Sequence, residues 1–379
     1  MLICLNGIVN MRTENTFRGC LIGGAVGDAL GYSVEFMEDS DIFQKYGEHG
    51  ITEYDLYKGT AQISDDTQMT LFTATGLLLG TTRGMLRGIM GSYEGYLRNS
   101  YKDWYRTQTE HFPLPEAFHY SWLVNLPELF SRRAPGNTCM SALASSDVGS
   151  VEQPINHSKG CGGVMRVAPI GLYFAEKRLP IQNSDIIGAE AAAITHGHEL
   201  GWLPAAALVH IIRYMVEHDG DILTAVKEAM ITLPIVFPEA TKMNELLTIL
   251  QKAIDLSGTD LDDLDAIRQL GQGWVGEEAF AIAIYCALKH PTSFEDAIVA
   301  AVNHSGDSDS TGAIAGNIVG ASLGLSAIPP KYLDTLELRD VILELADDLF
   351  NDCQMEEYGD YRDPIWLAKY VRMDYHPNK

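Results

Sequence analysis

No stretch of the 379 residues approaches the run of about 20 apolar residues that a membrane helix needs, so no membrane span is expected. Basic residues are scarce. The chain has 27 Lys and Arg against 51 Asp and Glu, for a formal net charge of −24. Such a surface repels phosphate backbones and anionic lipid, which counts against a protein that grips nucleic acid. A small anionic ligand stays admissible wherever a metal or a ring of backbone N–H groups reverses the field locally. The six cysteines (Cys4, Cys20, Cys139, Cys161, Cys286, Cys353) stand singly with no CxxC pair. Neither a zinc knuckle nor a disulfide framework is indicated, and reduced thiols in a cytoplasmic protein are expected. Low-complexity tracts, flexible linkers and internal repeats are all missing. One domain is therefore expected over residues 16–370, although length alone would permit two. Met1 to Asn10 lacks a basic leader and a small-residue cleavage site, so secretion is not expected. Patterned sequence begins only near Phe17, so residues 1–15 read as a short extension in which Met1 or Met11 is the start.

Period-2 alternation bounded by turn residues is rare, which predicts few strands. Helical patterning is abundant. Phe17 to Gly31 is apolar or small on nearly every face and reads as a helix buried on all sides. Met69 to Leu79, Ala189 to Thr195, Pro204 to Val216 and Ala279 to Leu288 also read as helices. In Thr311 to Leu323, Gly312, Gly316 and Gly320 recur every fourth residue and form a stripe that lets another helix approach closely. Tyr93 to Gly149, with its aromatics and four prolines, reads as short helices and loops. Asp255 to Asp265 reads as a solvated acidic turn.

Two acidic clusters each stand directly before an apolar helical run: Ser64-Asp65-Asp66-Thr67 and Gly306-Asp307-Ser308-Asp309-Ser310. Taken singly, each reads as a helix cap, since Ser, Thr and Asp accept hydrogen bonds from free N–H groups and carboxylates complement the helix dipole. A cap needs one side chain, however, and each cluster supplies two carboxylates flanked by hydroxyls. If the two helix starts meet, each pair of like charges some 4 Å apart costs about 4 kcal/mol at a surface-like dielectric. Two divalent cations would balance the four charges. Oxygen donors without a thiol suit magnesium or manganese better than zinc. A calcium loop starting at Asp307 fails at its twelfth position, where Ile318 replaces the bidentate Glu.

Asp28 lies inside the buried first helix and needs a partner, either a structural one or a site. Glu35 follows shortly after it. The glycine loop Ser158-Lys159-Gly160-Cys161-Gly162-Gly163 can cradle a phosphate with bare backbone N–H groups or serve as a tight-packing turn. It is neither a Walker loop nor a dinucleotide fingerprint. Thr195-His196-Gly197-His198 has HxH spacing but no third zinc ligand. This favours a His that hydrogen-bonds a ligand or packs at a helix end. Cys161 has no base paired with it in the sequence, so a nucleophilic role is unsupported.

In this order, Arg18-Gly19 through Gly31, Ser64 to Thr67, Ala134-Pro135-Gly136-Asn137-Thr138, Gly160 to Arg166, Thr195-His196-Gly197 and Gly306 to Ser310 resemble the ADP-ribosylglycohydrolase family from about Phe17 to Leu325. Any one of these motifs is weak, but six in sequence are specific. The resemblance implies an all-α orthogonal helical bundle with two divalent cations, Mg2+ or Mn2+. Their ligands would be Ser64, Asp65, Asp66, Asp307, Asp309 and Ser310, with Ser64 and Ser310 standing where Thr is more usual. It implies that Asp28, Ser158, Lys159, Gly160, Cys161, Gly162 and His196 contact the substrate, the glycine loop holding its diphosphate. Cys161 stands where some relatives have Asn. Glu35 matches a mobile acidic position that gates the site, and Glu35, Asp66 and Asp309 are the catalytic candidates. The implied activity is hydrolysis of the glycosidic bond between ADP-ribose and an acceptor such as a protein arginine. The implied partner is an ADP-ribosylated protein or small conjugate, with nucleic acid entering only as a modified substrate, and a monomer is expected. The alternatives are a hydrolase of another ADP-ribose conjugate, a metal-dependent phosphohydrolase, and a non-catalytic binding or inhibitor protein on the same fold.

Overall fold

In the computed structural model, residues 13–115, 118–175, 177, 179–218 and 221–377 are described. Residues 1–12, with Cys4 and both candidate starts, lie outside the described residues. Glu14 and Asn15, assigned to the extension on sequence, belong to the first helix, Glu14–Gly31, whose N-terminus is capped by Thr13. Among the described residues there are sixteen α-helices, and the only β-type pairings are isolated bridges: Tyr57 with Thr60, Ala61 with Leu336, and Gly160 with Val275. No described helix is long and apolar enough to cross a membrane.

Each run expected to be helical lies within or largely within a helix: Asp65–Arg87, Ile181–Ala193, Glu199–Glu217, Gly276–Lys289 and Ser308–Leu323. One segment differs from expectation. Tyr93–Thr109 is a single 17-residue helix rather than short pieces and loops. Its prolines begin only at Pro113. Leu97, Tyr101, Trp104 and Gln108 recur at three- and four-residue spacing and bury one face. Of the acidic 255–265 stretch only 258–262 is the exposed turn expected; it leaves the helix Met243–Ser257 and enters the short helix Asp263–Ile267.

The glycine stripe of Ser308–Leu323 packs against a matching stripe in Glu14–Gly31. A Cβ added at Gly19, Gly23, Gly27 or Gly31 would lie 2.4, 2.3, 1.9 or 2.2 Å from the carbonyl oxygen of Gly320, Gly316, Gly312 or Ser308, respectively. The pairing runs in opposite directions along the two helices, so they are antiparallel with their backbones in contact. This register fixes where chemistry can occur. It sets the C-terminal end of the first helix, with Asp28 and the turn carrying Glu35, beside the N-terminal end of Ser308–Leu323, with Asp307 and Asp309. Around this pair one continuous apolar core takes side chains from the remaining long helices.

Candidate metal centre

The start of the helix Asp65–Arg87 is brought in by Asp28. Both its carboxylate oxygens accept from the Ser64 N–H at 3.0 Å, and one also accepts from the Thr67 N–H at 3.1 Å. Ser64 completes the cap, its hydroxyl accepting from the Asp66 N–H at 3.2 Å. The N–H groups of Asp66 and Thr67 at the start of Asp65–Arg87 are therefore served by Ser64 and Asp28. Arg133 steadies the approach to this turn. It donates to the Ile63 carbonyl at 2.9 Å and forms a buried ion pair with Glu337, whose carboxylate accepts from the Ile63 N–H at 3.2 Å.

Asp65, Asp66, Asp307, Asp309 and Ser310 then share the wall of one cavity of about 700 Å³ with Glu35. Gly160, Cys161, Gly162 and His196 form another part of that wall. Asp65 accepts from the Gly136 N–H at 3.2 Å. The Ser310 N–H is shared between Asp309 at 2.9 Å and Asp307 at 3.2 Å. Asp66 is 3 % exposed and Glu35 is 7 % exposed, and in each one carboxylate oxygen is buried with no hydrogen-bond partner within the protein.

Burial, and then the charges of neighbouring acids, push these carboxyls upward. Glu35 rises to about 9, with Asp307, Asp65 and Asp28 adding to desolvation. Asp65 rises to about 8 through burial and the charges of Asp28 and Asp307, partly offset by the Gly136 N–H. Asp66 and Asp309 lie well above the usual carboxylate range for the same two reasons. Burial lifts Asp28 to about 6, and its hydrogen bonds to Ser64 and Thr67 hold it back from going higher. Unscreened by a cation, the cluster favours protons.

Does the donor set fit divalent cations? Among the described residues, no three His, Cys, Asp or Glu side chains are drawn together as a finished coordination sphere. Their chemistry nevertheless fits. Hard carboxylate and hydroxyl oxygens converge from two helix starts, and one buried oxygen each of Asp66 and Glu35 has no competing partner.

The glycine loop serves packing as well as access. A Cβ at Gly160 or Gly162 would come within 3.3 or 3.1 Å of the His196 ring, and one at Gly163 within 2.4 Å of the Gly201 carbonyl. The Gly160 and Cys161 N–H groups are engaged within the protein, by the Ser158 hydroxyl at 3.3 Å and the Trp274 carbonyl at 3.4 Å. His196 exchanges a hydrogen bond with the Thr195 hydroxyl at 2.8 Å. Burial, with the charge of Arg166, lowers it to about 3, so its ring is neutral. Arg166 itself is fully buried. It donates to Thr195 at 2.7 Å and the Ala191 carbonyl at 3.0 Å, and lies over the Tyr101 ring. It carries no carboxylate partner among these contacts, so it lends a positive field to this wall.

Several expected contacts are not made on the cavity wall. Asp28 is fully buried and not part of the wall, and it positions the Asp65–Arg87 helix. Ser158 is bonded to Thr138 at 3.0 Å, Lys159 pairs with Glu277, and Ser64 sits at its cap. The HxH pair is divided, because His198 caps Glu199–Glu217 through the Leu200 N–H at 3.0 Å. Conversely, the wall includes Phe36, Arg132 and Trp274, to which the sequence reading gave no role. Phe36 stacks on Trp274 with ring centroids 5.8 Å apart. Only an exposed aromatic directly after Glu35 hinted at this.

The bundle gathers carboxylates from two helix starts on one cavity with a glycine loop and a neutral histidine. The chain belongs to the ADP-ribosylglycohydrolase family, whose profile it matches over residues 10–359, and it is an enzyme acting on ADP-ribosyl conjugates. It is 29% identical over 345 residues to an uncharacterized protein of Archaeoglobus fulgidus, covering 89% of this chain and 96% of the relative. It is 25% identical over 327 residues to the ADP-ribosyl-[dinitrogen reductase] glycohydrolase of Rhodospirillum rubrum, covering 85% and 90%. Among solved structures, a chain of an ADP-ribosylglycohydrolase-related protein complex superposes with a TM-score of 0.53 at 22% identity, over 89% of this chain and 98% of that one, and so shares the fold.

Proposed function

We propose that the chain cleaves the glycosidic bond between ADP-ribose and a protein side chain such as arginine, with two divalent cations, magnesium or manganese, held by Asp65, Asp66, Asp307 and Asp309. Ser310 adds a hydroxyl, while the Ser64 hydroxyl stays at the helix cap. The observation that carries this reading is the meeting of two acidic helix starts on one cavity, where buried carboxylate oxygens have no other partner. The cations would supply a polarised water and charge stabilisation at the ribose hydroxyls.

The chain's own residues account for the remaining work. Asp66 and Asp309, deepest in the cluster, orient the attacking water and accept its proton. Glu35 faces the same cavity from a turn, where its carboxyl is placed to pass a proton to the departing nitrogen. Neutral His196 offers a ring nitrogen to the ligand, and buried Arg166 favours the diphosphate beside the glycine loop. The acidic surface and carboxylate-lined wall suit a cationic acceptor, which is why arginine is preferred over serine.

A panel of arginine-, serine- and DNA-linked ADP-ribose, assayed with magnesium or manganese, tests this. Release of ADP-ribose from the arginine conjugate is expected. Cleavage of the serine or DNA conjugate alone would overturn the acceptor assignment.

A further inference from the structure

Residues 272–276 touch three parts of the cavity wall. They lie along the glycine loop, where the Gly276 N–H donates to the Lys159 carbonyl at 2.7 Å, Gly160 bridges to Val275, and the Cys161 N–H donates to the Trp274 carbonyl at 3.4 Å. At the carboxylates, the Gln272 carbonyl accepts from the Asp307 N–H at 2.8 Å, and a Cβ at Gly306 would lie 1.9 Å from that oxygen. The segment has its own anchor as well: Glu278 accepts from the Gln272 N–H at 3.0 Å and the Gly273 N–H at 3.3 Å. With the backbone held on both sides, the direction of the Trp274 side chain is set. It meets the third part of the wall, lying on Phe36 with the ring planes 21° apart.

The turn that carries Glu35 is fixed at its ends, by Val34 in the core and by the Asp39 N–H on the Ser305 hydroxyl at 2.8 Å. Between those ends the buried Glu35 oxygen has no hydrogen-bond partner to place it, and its neighbour Phe36 is 75 % exposed. Packing on Trp274 is what remains to hold this part of the turn.

We infer that Trp274 is a positioning residue: through its stack on Phe36 it sets Glu35 at a fixed place relative to Asp307 and the glycine loop, which the same short segment also carries. This rests on reading Glu35 as the proton donor. A donor displaced by about 1 Å loses much of its effect on rate while ground-state binding is little changed.

The test is steady-state kinetics on whichever conjugate of the panel the parent cleaves, for Trp274→Ala, Trp274→Phe, Phe36→Ala and Glu35→Gln, alone and combined. Trp274→Ala is expected to lower kcat about tenfold or more with KM within about threefold, and Trp274→Phe to restore most of the loss. Phe36→Ala should match Trp274→Ala, and the double variant should be no slower than either. In the Glu35→Gln background, Trp274→Ala should cost less than about twofold more. A full tenfold there, or the parent's kcat in Trp274→Ala, overturns the positioning role and leaves Glu35 as donor. The parent's kcat in Glu35→Gln overturns the donor, and this inference with it. Hydrogen exchange over residues 32–38, read by mass spectrometry, gives an answer independent of activity. It should be faster in Trp274→Ala and in Phe36→Ala than in the parent, and unchanged exchange in both contradicts the inference.

Discussion

Both carboxylate oxygens of Asp28 accept the backbone N–H of Ser64, each at 3.0 Å, across a sequence gap of 36 residues. A side chain of the first helix thereby caps the helix that carries Asp65 and Asp66. Asp28→Ala is expected to leave those N–H groups unserved and to destabilise the fold by about 1.5–3 kcal/mol, the range for hydrogen bonds to a charged group. Metal affinity should fall with it, and Asp28→Asn should recover part of both. Denaturant unfolding and calorimetric metal titration check this; unchanged metal affinity in Asp28→Ala would remove its positioning role.

Backbone contact between the glycine stripes sets the register of the site. At Gly27 an added Cβ would sit 1.9 Å from the Gly312 carbonyl oxygen, whereas at Gly136 it meets nothing within 4 Å. Gly27→Ala should cost about 3 kcal/mol, as overpacking of a tight core does, while Gly136→Ala should stay within about 0.5 kcal/mol. The midpoints of denaturant unfolding give both numbers.

Metal and protons should compete. Without metal, Asp65 and Glu35 titrate at about 8 and about 9, against roughly 4 in the unfolded chain. Between those limits the folded state holds protons that the unfolded state has lost, so its stability falls as pH rises through the window. Cations replace those protons. The gain in Tm from magnesium is therefore expected to be larger near about pH 8.5 than near about pH 5.5. Asp309→Asn should raise the metal-free Tm at the higher pH, because it removes a buried charge among like charges, and should abolish the magnesium gain. A gain independent of pH would contradict this reading of the cluster.

Glu35 belongs to a turn rather than to the bundle. Val34 pins that turn in the core, and Phe36, 75 % exposed, stacks on Trp274 at the cavity wall. Glu35→Gln should lower kcat by about 100-fold or more, as loss of a general acid does, while four other carboxylates keep metal affinity within a few-fold. An unchanged kcat would make Glu35 a bystander. A loss of metal binding as large as that of Asp309→Asn would instead make it a ligand.

Much of this was legible in the chain. The paired acids before apolar runs, the glycine loop and the four-residue glycine spacing are local signals; the acids and the loop mark the cavity, and the glycine spacing marks a helix–helix contact. What stayed hidden was non-local. Periodicity shows that Gly312, Gly316 and Gly320 admit a close neighbour, but not that Gly27, Gly23 and Gly19 are its partners in antiparallel register. An Asp in an apolar helix requires a partner, yet nothing near Asp28 in sequence reveals that the partner is the N–H of Ser64. Arg132 and Trp274 reach the wall through tertiary packing alone. The Tyr93–Thr109 helix was obscured because its aromatics read as irregular until one face was counted.

A centre in which Asp65, Asp66, Asp307 and Asp309 hold the cations that drive bond cleavage must lose its activity with its metal. Its most direct measurement is the initial rate of ADP-ribose release from an ADP-ribosyl-arginine conjugate in chelator, before and after magnesium or manganese is restored. The rate should vanish in chelator, return with metal in the parent and stay absent in Asp309→Asn. A parent rate that is the same in chelator as in metal would contradict it.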